Sequence, residues 1–136
     1  DLSWQERYDI LDEYVKKSFA IYEPLVAANP NDTGLRRDLY FAYFQGGGIY
    51  VEANPPLSRQ YILKSIEIAK KTAENDRLNL LAKYDLAQSY SKLGEIYSVE
   101  KKFPEAVEPL TEAEKILTEL TVAEPKHEGY KFTLAN

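Results

Sequence analysis

The chain has 136 residues, 44% of them apolar and 29% charged, the length and make-up of one ordinary globular domain, which sets aside collagen-like, disordered and disulfide-scaffold classes. Its 17 basic and 22 acidic residues give a net charge of −5, with no basic cluster longer than Lys70-Lys71 or Lys101-Lys102, so no nucleic-acid partner is expected. Cysteine is absent, which removes thiolate nucleophiles and thiolate metal sites; no apolar run approaches the roughly 18 residues of a membrane span, and no membrane insertion by this segment is expected.

The first element predicted is a long helix within residues 1–29. Ser3-Trp4-Gln5-Glu6 has the serine-to-glutamate spacing of a capping box, and the helix should run toward Ala28, with Pro24 bending or breaking it. The turn at Asn29-Pro30 ends it.

Beyond that turn the chain repeats. A shift of 47 residues lays Asp38-Leu39, Tyr43, Gly47 and Ile49-Tyr50 onto Asp85-Leu86, Tyr90, Gly94 and Ile96-Tyr97. The unit tails around Pro30, Arg77 and Pro125 recur at 47 or 48 residues and mark helix ends. Residues 33–76 form a first repeat, 79–124 a second, and 128–136 the start of a further first helix, since Tyr130, Leu134 and Ala135 match Ala82, Leu86 and Ala87.

Within a unit the apolar residues step at helical spacing, as in Leu86, Tyr90, Leu93 and Tyr97, and strict strand-like alternation is absent. The second helix of the later unit opens at Phe103-Pro104-Glu105 and continues through Ala106, Leu110, Ala113 and Leu117. In the earlier unit it opens after Asn54-Pro55-Pro56 and carries Tyr61, Ile62, Ser65, Ile66 and Ala69 on its apolar side. Each unit is thus a helix pair, A then B. The glycine of the Tyr43-Gly47-Tyr50 and Tyr90-Leu93-Gly94-Tyr97 stripes should let helix B lie close over helix A, with small Ala106 and Ala113 doing the reciprocal job.

The run Tyr90-Ser91-Lys92-Leu93-Gly94-Glu95-Ile96-Tyr97 resembles the W-x2-L-G-x2-Y signature of tetratricopeptide repeats, with tyrosine in the tryptophan place. Ala106, Leu110, Ala113 and Pro125 fall where that family has small, bulky, small and proline residues. The period near 47 exceeds the usual one of about 34, and looks like the long-helix variety of large bacterial proteins, including C-terminal regions of some bacterial serine/threonine kinases. The resemblance implies an all-α fold: a right-handed superhelical stack of antiparallel helix pairs, an α-solenoid of about two full repeats with partial repeats at both ends, making one domain over residues 1–136.

No catalytic constellation stands out. His127 is the only histidine and sits in a turn, and Asp9, Asp12 and Glu13, or Glu112 and Glu114, read as solvated helix faces. Gly46-Gly47-Gly48 lacks the preceding strand and following lysine of a phosphate loop, so close packing is expected there, with a kink or a ligand near the backbone as the other reading. No enzyme activity, metal or cofactor is expected.

The surface left for function is the inner wall of A helices that the resemblance implies. Next to the Tyr90, Leu93 and Tyr97 stripe lie Gln88, Ser91, Glu95 and Ser98; their counterparts are Phe41, Phe44, Gly48 and Val51. Tetratricopeptide domains that grip the C-terminal carboxylate of heat-shock chaperones use lysine and asparagine on this stripe, and neither occurs at these positions. The expected function is a non-catalytic scaffold binding a protein or peptide, with Phe41 and Phe44 as apolar anchors unless they pack against neighbouring helices. The alternative is a structural spacer or a module that self-associates through exposed repeat ends, including a regulatory or sensor part of a bacterial kinase. Methionine is absent even at position 1 and both ends fall inside a repeat, so the chain is expected to be a piece of a larger multidomain protein. It is cytoplasmic by default, and extracytoplasmic if that parent carries an upstream membrane span.

Overall fold

The computed structural model describes residues 1–135, without the side chains of residues 131, 132, 134 and 135, so the part of the expected helix-A match that falls on the Leu134 and Ala135 side chains lies outside the described residues. The chain is all-helical, with 83% of its residues in six helices: α1 (Trp4–Ala28), α2 (Thr33–Tyr50), α3 (Pro55–Asn75), α4 (Leu80–Val99), α5 (Phe103–Ala123) and α6 (Glu128–Ala135). It divides into two compact units, Asp1–Ile68 and Ala69–Asn136, the boundary falling inside α3.

Local chemistry fixes where the helices start. At α1 both halves of the capping box form: Ser3 Oγ accepts the Glu6 N–H at 3.2 Å, and Glu6 Oε2 accepts the Ser3 N–H at 2.7 Å. Asp32, Asn54 and Asn79 place side-chain oxygens on the N–H groups of Leu35, Leu57 and Ala82, satisfying donors with no intrahelical partner. At the end of α4 the Lys102 N–H reaches the Tyr97 carbonyl and the Lys101 N–H that of Ser98, with Lys101 in the left-handed region at φ 59°. That double hook stops the helix and turns the chain into α5.

Pro24 does not break α1, which runs on to Ala28. Proline forfeits the bond its N–H would make to the carbonyl four residues back, but only one further turn follows before Asn29 closes the helix, so little of the ladder depends on that position.

In the first unit α1 and α3 both pack on α2 at consecutive glycines, with Tyr61 of α3 also reaching Gly46. A Cβ on Gly46 would stand 2.9 Å from Val15 Cγ1 of α1; one on Gly47 would stand 2.5 Å from Ile62 Cδ1 and 3.2 Å from the Ser58 carbonyl oxygen of α3. Gly48 meets nothing within 4 Å. Two of the three glycines are therefore sites of close helix approach, and the third faces open space. Ser58 Oγ donates to the Gly47 carbonyl at 2.6 Å in a buried position, pinning α3 to the same point. Buried Arg36 ties the start of α2 to α3 by donating to the Ile68 carbonyl at 3.1 Å.

The α1–α2 contact is aromatic and ends in carboxylates. Phe19 stacks on Tyr43 at 4.4 Å and Tyr8 on Tyr50 at 6.3 Å, while the Tyr43 and Tyr50 hydroxyls donate to Glu23 and Asp12. Since Tyr50 meets residue 12 and Tyr43 meets residue 23, the two helices are antiparallel. Asp12, expected on a solvated face, is thus part of a helix–helix contact.

Charge sets a pH window on that contact. Hydrogen bonds from Lys16 and Tyr50 hold the Asp12 carboxyl below its usual range, and burial followed by the hydrogen bond to Asp12 pushes the Tyr50 hydroxyl up. A depressed acid contributes stability above its ordinary value of about 3.9, and that contribution is lost as pH falls through the folded value; a raised phenol contributes below about 10 and loses it as pH rises through its folded value. Docking of α1 should therefore be flat from about pH 5 to 9 and weaken on both sides. Asp12→Asn should lower the melting temperature at pH 7, and the gap from the parent should narrow as pH falls below about 3.9, where the unfolded carboxyl takes up its proton before the folded one does. A gap that persisted unchanged at pH 3 would contradict the assignment.

In the second unit α4 and α5 interlock by the same device. Gly94 faces the Leu110 side chain so closely that a Cβ on Gly94 would overlap Leu110 Cγ and Cδ2. Ala87, Leu117, Leu120 and Tyr130 form the buried cluster that joins α4, α5 and α6, with Leu80, Tyr84 and Ile116 against it. Gly94 meeting Leu110 and Ala87 sharing a cluster with Leu117 make α4 and α5 antiparallel. A shift of 48 carries Ser58, Ile62 and Ser65 onto Ala106, Leu110 and Ala113, so each pair sets a glycine of its first helix under an aliphatic side chain flanked by small residues of its second.

Candidate interaction site

On α2 the expected anchor stripe is aromatic and half-buried. Phe44 stacks on buried Tyr40 at 5.7 Å, Phe41 meets the same ring edge-on at 5.2 Å, and the Arg37 guanidinium lies 4.5 Å over the Phe41 ring. The contacts from α1 fall instead on Tyr43, Gly46 and Tyr50, about one residue step round the helix. At the end of this stripe the expectation for Val51 needs correction: its side chain is only 5% exposed, so it belongs to the core. Gly48, one turn earlier, leaves open space that no side chain fills.

On α4 the corresponding stripe is polar and partly engaged. Gln88 Nε2 donates to the Tyr84 hydroxyl at 3.0 Å, and that hydroxyl lies 3.2 Å from Thr133 Oγ1 of α6. Gln88 is therefore held in a chain of hydrogen bonds that reaches the last helix. Ser98 Oγ donates to the Gly94 carbonyl at 2.9 Å, an ordinary use of a helical serine. Ser91 is half-buried, and Glu95 is exposed with Lys92 Nζ 2.8 Å away. At such exposure the Lys92–Glu95 pair contributes about 0–1 kcal/mol to stability.

The stripe taken from the sequence as core is only partly so. Leu86 and Leu93 are buried, but Tyr90 and Tyr97 are half-buried and line an open groove of about 530 Å³ with Lys70, Leu93, Glu105, Glu108, Pro109 and Glu112. Burial, then the carboxylates of Glu112, Glu108 and Glu74, push the Tyr90 hydroxyl up, so it stays a neutral hydrogen-bonding group. The residues that fill the core between are Ile96, Ala87 and Ser89, all fully buried.

His127, expected to be solvated in its turn, is exposed but has a structural task. Its Nδ1 accepts the Tyr130 N–H at 3.3 Å, occupying the cap place of α6, and its ring stacks on Tyr130 at 3.7 Å. Tyr130 in turn donates its hydroxyl to Glu124 at 3.3 Å. Among the described residues no group of three or more histidine, aspartate or glutamate side chains converges as a metal site, and no helix is long and apolar enough to cross a membrane.

Compared with known protein families, curated proteins and solved structures, the chain matches none.

Proposed function

We propose that this chain is a tetratricopeptide-like helical repeat module that binds a protein or peptide segment and carries out no catalysis. The observation that supports it best is the repeated interlock: Gly47 under Ile62 and Gly94 under Leu110, one in each unit, at the 47- to 48-residue period of the sequence. In repeat proteins of that family the exposed faces of the first helices of the pairs serve as binding walls. On this reading Phe41 and Phe44 supply the apolar anchors, since neither takes part in the glycine contacts or the carboxylate-capped face of α2. The mode fits an extended or helical peptide that inserts apolar side chains beside the Tyr40 ring.

Truncating a true anchor costs about 2 kcal/mol or more in binding, a loss of thirtyfold or so in affinity, whereas truncating a packing residue acts on stability. Phe44→Ala should therefore leave the melting temperature within a few degrees of the parent and weaken a captured partner strongly. If the variant melts far lower while its folded fraction binds as before, Phe44 is core and the spacer reading takes precedence.

A further inference from the structure

Helix α1 carries an apolar arc wider than the face α2 covers. Tyr8, Asp12, Val15 and Phe19 point to the α2 contact, while Trp4, Ile10, Leu11, Tyr14, Ile21 and Leu25 remain open to solvent, with Trp4 75%, Tyr14 66% and Ile21 59% exposed. Positions 4, 7, 11, 14, 18, 21 and 25 follow the alternating 3- and 4-residue spacing of a helix-pairing seam along the whole helix. Trp4, Leu11, Tyr14 and Ile21 together present on the order of 500 Å², which from two copies reaches the roughly 1,000 Å² that a specific interface needs.

We infer that this face pairs with the same face of a second copy of the chain, α1 against α1 in antiparallel orientation. Self-pairing requires a surface complementary to itself under a twofold axis. An axis between residues 12 and 13 meets that requirement: it sets Leu11 against Tyr14 of the second copy, Trp4 against Ile21, and Arg7 against Ser18. In this register Lys17 lies within a turn of Glu6 of the second copy. A parallel pair would instead align Arg7 with Arg7 and Lys17 with Lys17, like charges along the seam. The charge pattern therefore selects the antiparallel form.

Sedimentation equilibrium of this chain between 1 and about 200 µM, the range in which interfaces of this size associate, tests the inference. The expected result is a dimer whose dissociation constant rises at least tenfold in Tyr14→Glu and in Ile21→Lys, both solvent-facing changes whose fold is checked by circular dichroism, and stays unchanged in Leu78→Glu, at an exposed turn position of the other unit. Spin labels report the orientation: at Glu13→Cys the two labels should be close, and at Ala28→Cys about 45 Å apart at 1.5 Å per residue, whereas a parallel pair brings both sites close. A monomer throughout the range, a dimer indifferent to both substitutions, or close labels at Ala28→Cys would each overturn it. So would protection of this face only on adding a different protein, which would assign the face to that partner.

Discussion

Gly47→Ala should lower the free energy of unfolding by about 2–3 kcal/mol, although alanine is intrinsically the better helix former by about 1 kcal/mol. The new methyl would stand 2.5 Å from Ile62 Cδ1 and 3.2 Å from the Ser58 carbonyl oxygen. Ile62 is 0% exposed, so it has nowhere to turn, and the carbonyl belongs to the backbone of α3. Gly94→Ala should be far milder, within about 1 kcal/mol of the parent, because Leu110 is 44% exposed and can swing outward. At Gly94 only a large side chain, as in Gly94→Leu, should cost a few kcal/mol, by forcing α5 off α4. Gly48→Ala, with open space around it, should stabilise by about 0.4–1 kcal/mol. Urea unfolding followed by helical circular dichroism measures all four. Equal effects of alanine at 47 and 48 would show that the close approach at Gly47 is absent.

Leu120→Ala should remove about 2–5 kcal/mol, the range for deleting a fully enclosed leucine side chain. Leu120 is 1% exposed and shares its cluster with Ala87, Leu117 and Tyr130, so the cavity would open where α4, α5 and α6 meet. Hydrogen exchange should then show protection lost first at the Tyr130 amide, whose helix is held by this cluster and by the His127 cap. A loss below about 1 kcal/mol with Tyr130 still protected would mean that the cluster does not hold α6.

Features set by short-range chemistry were legible in the sequence. The capping box at Ser3–Glu6 forms, the helices are bounded by the turns the repeat tails marked, and Gly47 and Gly94 each meet the second helix of their pair. Contacts that depend on which neighbour covers a given arc were not. Helical spacing groups Tyr90, Leu93 and Tyr97 on one stripe, but it does not say that Leu93 is covered while the two tyrosines line a groove. It places Val51 in line with Phe44 and Gly48, yet the chain is leaving α2 at that point and the side chain turns into the core. Asp12 read as a surface acid because its partner, Tyr50, is 38 residues away. Ser58 escaped notice as the counterpart of Ala106, its hydroxyl concealing a small buried residue that bonds the Gly47 carbonyl.

The candidate site was legible only as a stripe. Phe41 and Phe44 do lie together against Tyr40, but that buried ring, which orients both, was not singled out from its spacing. Gln88 was grouped with the open polar positions, and its tie to Tyr84 and Thr133 depends on how α6 packs on the second unit.

The central claim is that one glycine-to-aliphatic interlock, repeated at the period of the sequence, builds both helix pairs. A methyl-resolved nuclear Overhauser spectrum of the assigned chain tests its foundation. The account predicts cross-peaks from the Gly47 α-protons to the Ile62 δ-methyl and from the Gly94 α-protons to the Leu110 methyls, both at the strength of van der Waals contact. Absence of either cross-peak, or methyls of another helix in its place, would contradict it.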